Sequence, residues 1–496
     1  MLLLGFSAGL PLLLIFSSLS LWLREAGLER SAVTYCSWAA LGYSFKFVWA
    51  PLVGRVPLPG LRNLLGQRRS WLLLSQLSIA AAICLMALTD PSSSDTALQI
   101  MAFAAVLLGF SSATQDIVID AYRIEFGDKT MQAMLSSMYV AGYRVGMIAA
   151  GAGALFLADY FGTRPDHYSY VAWRNSYLIM AGCMSVGIAT TLAIREPEIL
   201  KRQREEFRQL DYARLFATFL LAVAVFIMVF YSSSATAQYL KDSLAALLLN
   251  TALAAFVVEM LRLALATSLA FVAAHSAAAV GLVPRALVDE SYIKPITDFF
   301  RRYSREEVLL VLLLISLYRI SDIVLGVISN VFYQDMGYSK TEIAAVVKTF
   351  GLVMTILGGF IGGVLAIRYG VIKTLFLGAV LTVGTNLLFL LLSVSEPTLV
   401  MLYAVISADN LAAGLASAAF IAFLSNLVNV SFTAMQYAIF SSLMTLFPKI
   451  IGGYSGSMVD NLGYPLFFIF AAAIGLPVLW VIHKLGGHMV FREDEA

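Results

Sequence analysis

Charge is scarce in this sequence: Asp, Glu, Lys and Arg together make up 13% of the 496 residues, and there are only three cysteines and four histidines. Each shortage excludes something. Cys36, Cys84 and Cys183 all fall inside apolar runs, so they read as packing residues rather than a disulfide framework. His167, His275, His483 and His488 have no spacing suited to a metal site, and none is expected. The 33 basic residues nearly balance the 31 acidic ones; so small a net charge says nothing about nucleic acid, the basic loops read as topology signals, and no nucleic-acid partner is expected. No polar stretch is long enough to hold a soluble catalytic domain.

Apolar residues dominate instead, at 60% of the chain, far above the share in a soluble domain. Runs of roughly 20 residues, the length a helix needs to cross about 30 Å of hydrocarbon, recur from end to end. Fourteen are read as spans, near residues 2–23, 32–53, 71–89, 98–123, 131–158, 175–194, 212–232, 246–282, 308–333, 342–366, 374–393, 399–425, 433–458 and 464–485. They are too long for barrel strands, and a lipid-exposed backbone must pair internally, so the expected class is an all-α polytopic membrane protein. The opening run lacks a basic leader and is long enough to span, so it is helix one rather than a signal peptide.

Lys and Arg set the expected orientation. The stretches assigned to the inside carry Arg55, Arg62, Arg68, Arg69, Arg123, Lys129, the basic clusters of residues 195–214 and 285–305, Arg368, Lys373, Lys484 and Arg492. The outer ones carry only Arg24, Arg30, Arg164, Arg174, Lys241 and Lys340. By the positive-inside bias both termini are cytoplasmic, and the loop of residues 231–243 lies outside.

The chain also repeats itself. "WLREAGLERSAV" (Trp22 to Val33) aligns with "FYQDMGYSKTEI" (Phe332 to Ile343), and a weaker echo sets "FSSATQDIVIDAY" against "VISADNLAAGLAS", matching Asp116 with Asp409. Two similarly oriented halves indicate parallel repeats of the major facilitator kind, with a site at their interface. The expected division is an N-terminal six-helix half (1–194), linkers with two extra helices (195–306), a C-terminal six-helix half (307–485) and a cytoplasmic tail (486–496).

Lys46, Asp116, Asp120, Arg144, Glu259, Arg262, Arg319, Asp322, Lys348, Asp409 and Lys449 fall within the spans. Each charge at a helix centre costs about 2.5–3.5 kcal/mol on insertion scales, so they must face an interior or an aqueous cavity. Glu259 with Arg262, and Arg319 with Asp322, are spaced to pair on one helical face. Asp116 and Asp120, one turn apart, repel when both are ionised and are suited to sharing a proton. Their candidate partners are Lys46, Arg144 and Arg319. "GFSAG" matches a nucleophile pattern in letters only, without the strand-turn-helix context it needs. The glycines of "GYRVGMIAAGAG" and "GGFIGG" read as close helix packing.

The blocks "GFSAGLPLLL", "FKFVWAPL", "LRNLLGQRRSWLLLSQ", "SSATQDIVIDAYR", "AGYRVGM", "LYRISD" and "SKTEIAAVVKTFGL" together resemble the AmpG family of anhydromuropeptide permeases, a branch of the major facilitator superfamily. The resemblance covers both halves. It implies a proton-driven importer of N-acetylglucosaminyl-1,6-anhydro-N-acetylmuramyl peptides in the Gram-negative inner membrane, feeding cell-wall recycling and β-lactamase induction. Matched position by position, the family's residues are Lys46, Asp116, Asp120, Arg144, Arg319, Asp322, Lys348, Asp409 and Asn410. The chain departs from the family pattern at Val347, Ser321 and Asp409, where Asn, Gly and Glu are usual, and in carrying its extra helices in the middle. A short cytoplasmic leader ahead of helix one is also expected on this resemblance.

Proton coupling is accordingly expected at Asp116, Asp120, Asp322 and Asp409. The ligand's carboxylates would be met by Lys46, Arg144, Arg319 and Lys348. Its sugar and amide groups would be met by Tyr35, Trp38, Gln115, Tyr139, Asn330, Asn386, Asn410 and Gln436. No cofactor beyond the proton gradient and no partner beyond ligand, protons and bilayer is expected, and the chain is expected to act as a monomer. Competing readings are an acetyl-CoA-type or drug transporter on the same fold, a membrane-embedded transferase and a sensor without transport.

Overall fold

A computed structural model describes residues 1–28, 43, 45–127, 131–163, 168–197, 207–248, 251–339, 342–452 and 455–493. Arg30, Tyr35, Cys36, Trp38, Lys129, Arg164, His167 and Lys340 lie outside the described residues, as do the side chains of Asn330, Lys348, Lys449 and His488. Every regular element among the described residues is a helix. Twelve of them are long and apolar enough to cross a bilayer, and they coincide with the third to fourteenth expected spans. The count falls short of fourteen because the first span is broken and most of the second lies outside the described residues.

The first run begins as α1 (Leu2–Leu13), passes through a π-helical turn (Leu14–Ser18) and resumes as α2 (Leu19–Glu25). Pro11 has no N–H for the helical ladder, which accounts for a break nearby. After α3 (Ala50–Arg55) and α4 (Leu61–Leu65) come α5 (Gln67–Ala87), α6 (Asp95–Phe126) and α7 (Gln132–Ile148). A second π-turn (Ala149–Gly153) leads to α8 (Ala154–Tyr160), α9 (Tyr170–Cys183) and α10 (Ser185–Ala193). The Ser94 hydroxyl accepts from the Ala97 N–H at 3.1 Å and starts α6 in front of Asp95. Trp22 stacks on Trp173 with ring centroids 5.6 Å apart, in a core with Ile83, Met86 and Leu108. α1 and α7 touch backbone to backbone: a methyl group at Gly142 or Gly146 would fall on the carbonyl oxygens of Leu2 and Phe6.

Chain contacts separate two compact units, one of Met1–Ala50, Leu58–Arg202 and Phe299–Ala496, the other of Pro51–Pro57 and Gln203–Asp298. The second unit is built from α11 (Gln209–Ser232), α12 (Ser234–Leu248), α13 (Thr251–Ala279) and α14 (Arg285–Val288). Here α12 replaces most of the loop expected at residues 231–243. "SATAQYLKDSLAALL" is rich in strong helix formers, and Lys241 reaches Glu259 on α13 at 2.6 Å. Glu259 therefore has a partner from another helix besides Arg262, which stands at 3.3 Å and lies over the Phe230 ring. Within the same unit Arg55 pairs with Glu290 at 2.7 Å.

α15 (Lys294–Arg302) leads into the C-terminal half. That half comprises α16 (Arg305–Leu317), α17 (Ile320–Asp335), a π-helical stretch (Ile343–Phe350), α18 (Gly351–Tyr369), α19 (Val371–Val394), α20 (Leu399–Leu427), α21 (Thr433–Gly452), α22 (Ser455–Ala473) and α23 (Leu476–Glu493). The repeat is visible in hydrogen bonds. At the end of α2 the Leu28 N–H returns to the Leu23 carbonyl around Gly27 (φ 79°), and after α17 the Tyr338 N–H returns to the Tyr333 carbonyl around Gly337 (φ 92°). Both are helix stops that need a left-handed residue at the same place.

The second echo is looser. Asp116 stands ten residues before the end of α6 (126 − 116), whereas Asp409 stands eighteen before the end of α20 (427 − 409). At about 1.5 Å per residue the two carboxylates differ in depth by roughly 12 Å. An ungapped alignment matches letters and does not see where each helix ends.

Candidate functional site

α6 carries Gln115, Asp116, Asp120, Arg123 and Glu125 in its last three turns, all buried. The helix can hold so many polar groups because its partners come from other elements. Asp120 lies between two cations, Lys46 at 3.7 Å and Arg123 at 3.4 Å. Asp116 is bonded by the Tyr139 side chain and feels Lys46, while its Oδ1 has no hydrogen-bond partner among the described residues. Gln115, fully buried, has neither amide atom paired among the described residues. Around them the Tyr43 hydroxyl bonds Ser112 at 2.6 Å, and the Trp49 indole N–H donates to Thr114 at 3.1 Å. Of the three cationic partners suggested by sequence for the aspartates, Lys46 makes the ion pair. Arg319 pairs elsewhere, and Arg144 makes no ion pair with either aspartate.

A second cluster sits on the C-terminal half. Arg319 Nη2 pairs with Asp322 at 2.7 Å across one turn. Asp409 accepts from Thr385 at 3.2 Å and lies within the field of Asp322. Arg144, from α7 of the N-terminal half, feels both Arg319 and Asp322 and has no ion pair among the described residues. Asn410 accepts from Thr355 at 2.8 Å and donates to the Ile406 carbonyl. Asn386 donates to Ser321, which donates to the Ala471 carbonyl. The serine at 321 is thus used as a bridge between α17, α19 and α22.

Gln436 is placed differently from the rest. Its amide oxygen accepts from Arg302 at 3.2 Å and from the Asn429 N–H at 2.7 Å, so it braces the turn between α20 and α21. Tyr35 and Trp38 lie outside the described residues, and the side chains of Asn330 and Lys348 do too.

The residues missed from sequence are the ones that join the halves. Arg68, at the start of α5, grips Glu125 with two bonds, Nε to Oε2 at 2.9 Å and Nη2 to Oε1 at 2.6 Å. The same Nη2 reaches Thr433 of α21, whose hydroxyl also bonds Glu125. Arg123 adds Ser136 at 2.9 Å and Ser425 at 2.7 Å and lies over the Tyr437 ring. Ser137 donates to the Gly359 carbonyl. Most of these bonds gather where α6 and α20 end and α5, α7 and α21 begin, which is the basic end of the bundle, and the Ser137 bond joins α7 to the middle of α18. In the sequence Arg68 and Arg123 looked like loop charges. The available signal was Glu125, an acid just past two others in a run that is otherwise apolar.

A family model described as Major Facilitator Superfamily matches residues 1–289 and 310–489. The anhydromuropeptide permease of Escherichia coli K12 is 28% identical over 480 residues, covering 97% of this chain and 77% of that one. A Rickettsia conorii protein named as an AmpG transporter is 29% identical over 482 residues, 97% of this chain and 94% of its own. Among solved structures, the proton:xylose symporter XylE superposes with a TM-score of 0.59 at 12% identity, over 97% and 94% of the two chains. FucP in its outward conformation gives 0.61 at 11% identity, over 98% and 97%.

Proposed function

The chain belongs to the Major Facilitator Superfamily, and from that premise we propose that it imports anhydromuropeptides across the inner membrane of a Gram-negative bacterium, driven by protons. The ligand class rests on the relatives named AmpG and anhydromuropeptide permease. The basic end is cytoplasmic on this reading, by the excess of Lys and Arg there. The imported fragments feed peptidoglycan recycling and the β-lactamase induction that depends on it.

The observation that carries the coupling is the unequal treatment of two neighbouring acids. Among the described residues Asp120 has two cations, whereas Asp116 has a tyrosine and one oxygen without a partner. A proton taken by Asp116 removes the negative charge that helps to hold Lys46, and the hold on the Lys46 segment weakens. The halves are bonded at the basic end by Arg68, Glu125 and Thr433, so the ligand enters from the opposite side and the clamp must open to release it. Arg144, poised beside Arg319 and Asp322 with no ion pair among the described residues, is the group suited to a ligand carboxylate. Asn410 and Asp409 border the same region and supply amide and acid contacts.

Uptake of a labelled anhydromuropeptide into vesicles, with and without an imposed pH gradient, tests the proposal. Gradient-dependent accumulation is expected, with counterflow by unlabelled anhydromuropeptide and none by acetyl-CoA. Accumulation that ignores the gradient would remove the proton from the mechanism.

A further inference from the structure

α15, "KPITDFFRR", is amphipathic in an unusual sense, because both of its sides carry apolar residues. One side is used by the protein. Phe299 is buried against Phe440 and Tyr303, with centroids 5.1 and 5.4 Å away, and Arg302 donates to the Leu427 carbonyl and the Gln436 amide oxygen. The other side is open. Ile293, in the turn that leads in, is 50% exposed, Ile296 41% and Phe300 54%. At about 100° per residue these three fall within an arc of roughly 60°, with Arg301 and Lys294 together about 80–100° beyond Ile293 on one side of it. Both basic residues are exposed, and Lys294 shares its charge with Glu290 at 3.0 Å.

Three exposed apolar side chains with two cations on one side of them, their stems long enough to reach up to headgroup level, are a poor surface for water and a good one for the boundary between acyl chains and phosphate headgroups. The helix ends directly before α16, which opens with Arg305 and forms part of a span, so its end lies at the edge of the bilayer. We propose that α15 is a membrane-surface helix that recognises anionic phospholipid, with Ile293, Ile296 and Phe300 immersed and Lys294 and Arg301 on the headgroup phosphates. Continuity with a spanning helix favours lipid over a protein partner. The consequence reaches the clamp. Arg302 of this helix holds the turn between α20 and α21, and Thr433 just beyond that turn bonds Glu125. Anionic lipid that steadies α15 therefore steadies the closed basic end.

The test reads depth and needs no ligand, so it stands whatever the transported molecule is. The full chain, with Cys36→Ala, Cys84→Ala and Cys183→Ala, receives a nitroxide at Phe300→Cys, or at Ile296→Cys should the first variant fold poorly. It is placed in bilayer discs of phosphatidylcholine alone or mixed with phosphatidylglycerol. The expected label is reached by oxygen and shielded from a water-soluble nickel chelate, more so in the anionic discs. Lys294→Gln with Arg301→Gln should abolish the anionic increment, at about fivefold in membrane partition per basic residue. Nickel access equal to that of a label in an exposed loop, in both lipids, would overturn the proposal. So would shielding from nickel and oxygen alike, the signature of a protein covering the face.

Discussion

The clamp at the basic end and the charged cluster around Arg319 use the same kinds of side chain and meet burial in opposite ways. Arg68 and Glu125 are 4% and 0% exposed and joined by two short bonds, with a third partner from the other half. Arg319 and Asp322 are 27% and 31% exposed and pair through one bond, and Arg144 nearby has no ion pair among the described residues. A bidentate pair with no access to water cannot exchange its partners cheaply, because a charge left alone there is not rehydrated. A partly exposed pair beside an unpaired cation can accept a ligand with little rearrangement. The first arrangement suits a joint that holds one conformation, the second a place where something binds. Asp116 and Asp120 stand between these extremes, the one open and the other closed.

The comparison can be broken first at the clamp. Glu125→Gln keeps the shape and leaves Arg68 buried without its counter-charge, so stability should fall by about 3–5 kcal/mol. The double variant Arg68→Met with Glu125→Met should recover most of that loss, since a buried pair is often replaceable by apolar residues. Thermal melting of the purified proteins checks both. A single variant that melts with the wild type would deny the clamp its role.

The aspartates should separate next. Asp120→Asn deprives Lys46 and Arg123 of their shared carboxylate, and a loss of about 1.5–3 kcal/mol is expected for bonds to charged groups. Asp116→Asn keeps the Tyr139 contact and removes no ion pair, so folded yield should stay within about 0.5 kcal/mol of wild type. Gradient-driven accumulation should nevertheless vanish in Asp116→Asn, while ligand exchange without a gradient persists. Accumulation at the wild-type level in that variant would move the proton to Asp322 or Asp409.

The smallest effect on the fold belongs to Arg144→Met. With no ion pair to lose among the described residues, its melting point should hardly move, whereas affinity for an anionic ligand should drop about tenfold to a hundredfold. A ligand lacking the carboxylates should lose much less. Equal losses for both ligands, measured by binding to the purified protein, would mean that Arg144 serves packing instead.

Much of the architecture could be read from residue order because a membrane imposes it locally. A span must be long, apolar and helical, whatever it packs against. The helix stops at Gly27 and Gly337 were legible for a similar reason, since only a left-handed residue closes those turns. Local propensity also accounts for α12, where strong helix formers make a helix of most of the stretch that its charges mark as a polar loop.

Partnership was not legible, because it is set by helices hundreds of residues apart. Nothing around Glu125 in the sequence points to Thr433, nor around Arg123 to Ser425, nor around Gln436 to Arg302. The acids at 116 and 120 look alike as letters. Only the packing of Lys46 and Arg123 against one of them, and of Tyr139 against the other, makes them different groups. The sequence by itself determined that the chain crosses a membrane many times, in two related halves with charges inside. Which of those charges are locked and which remain open was decided by tertiary structure, because a buried charge takes its behaviour from whatever replaces its water.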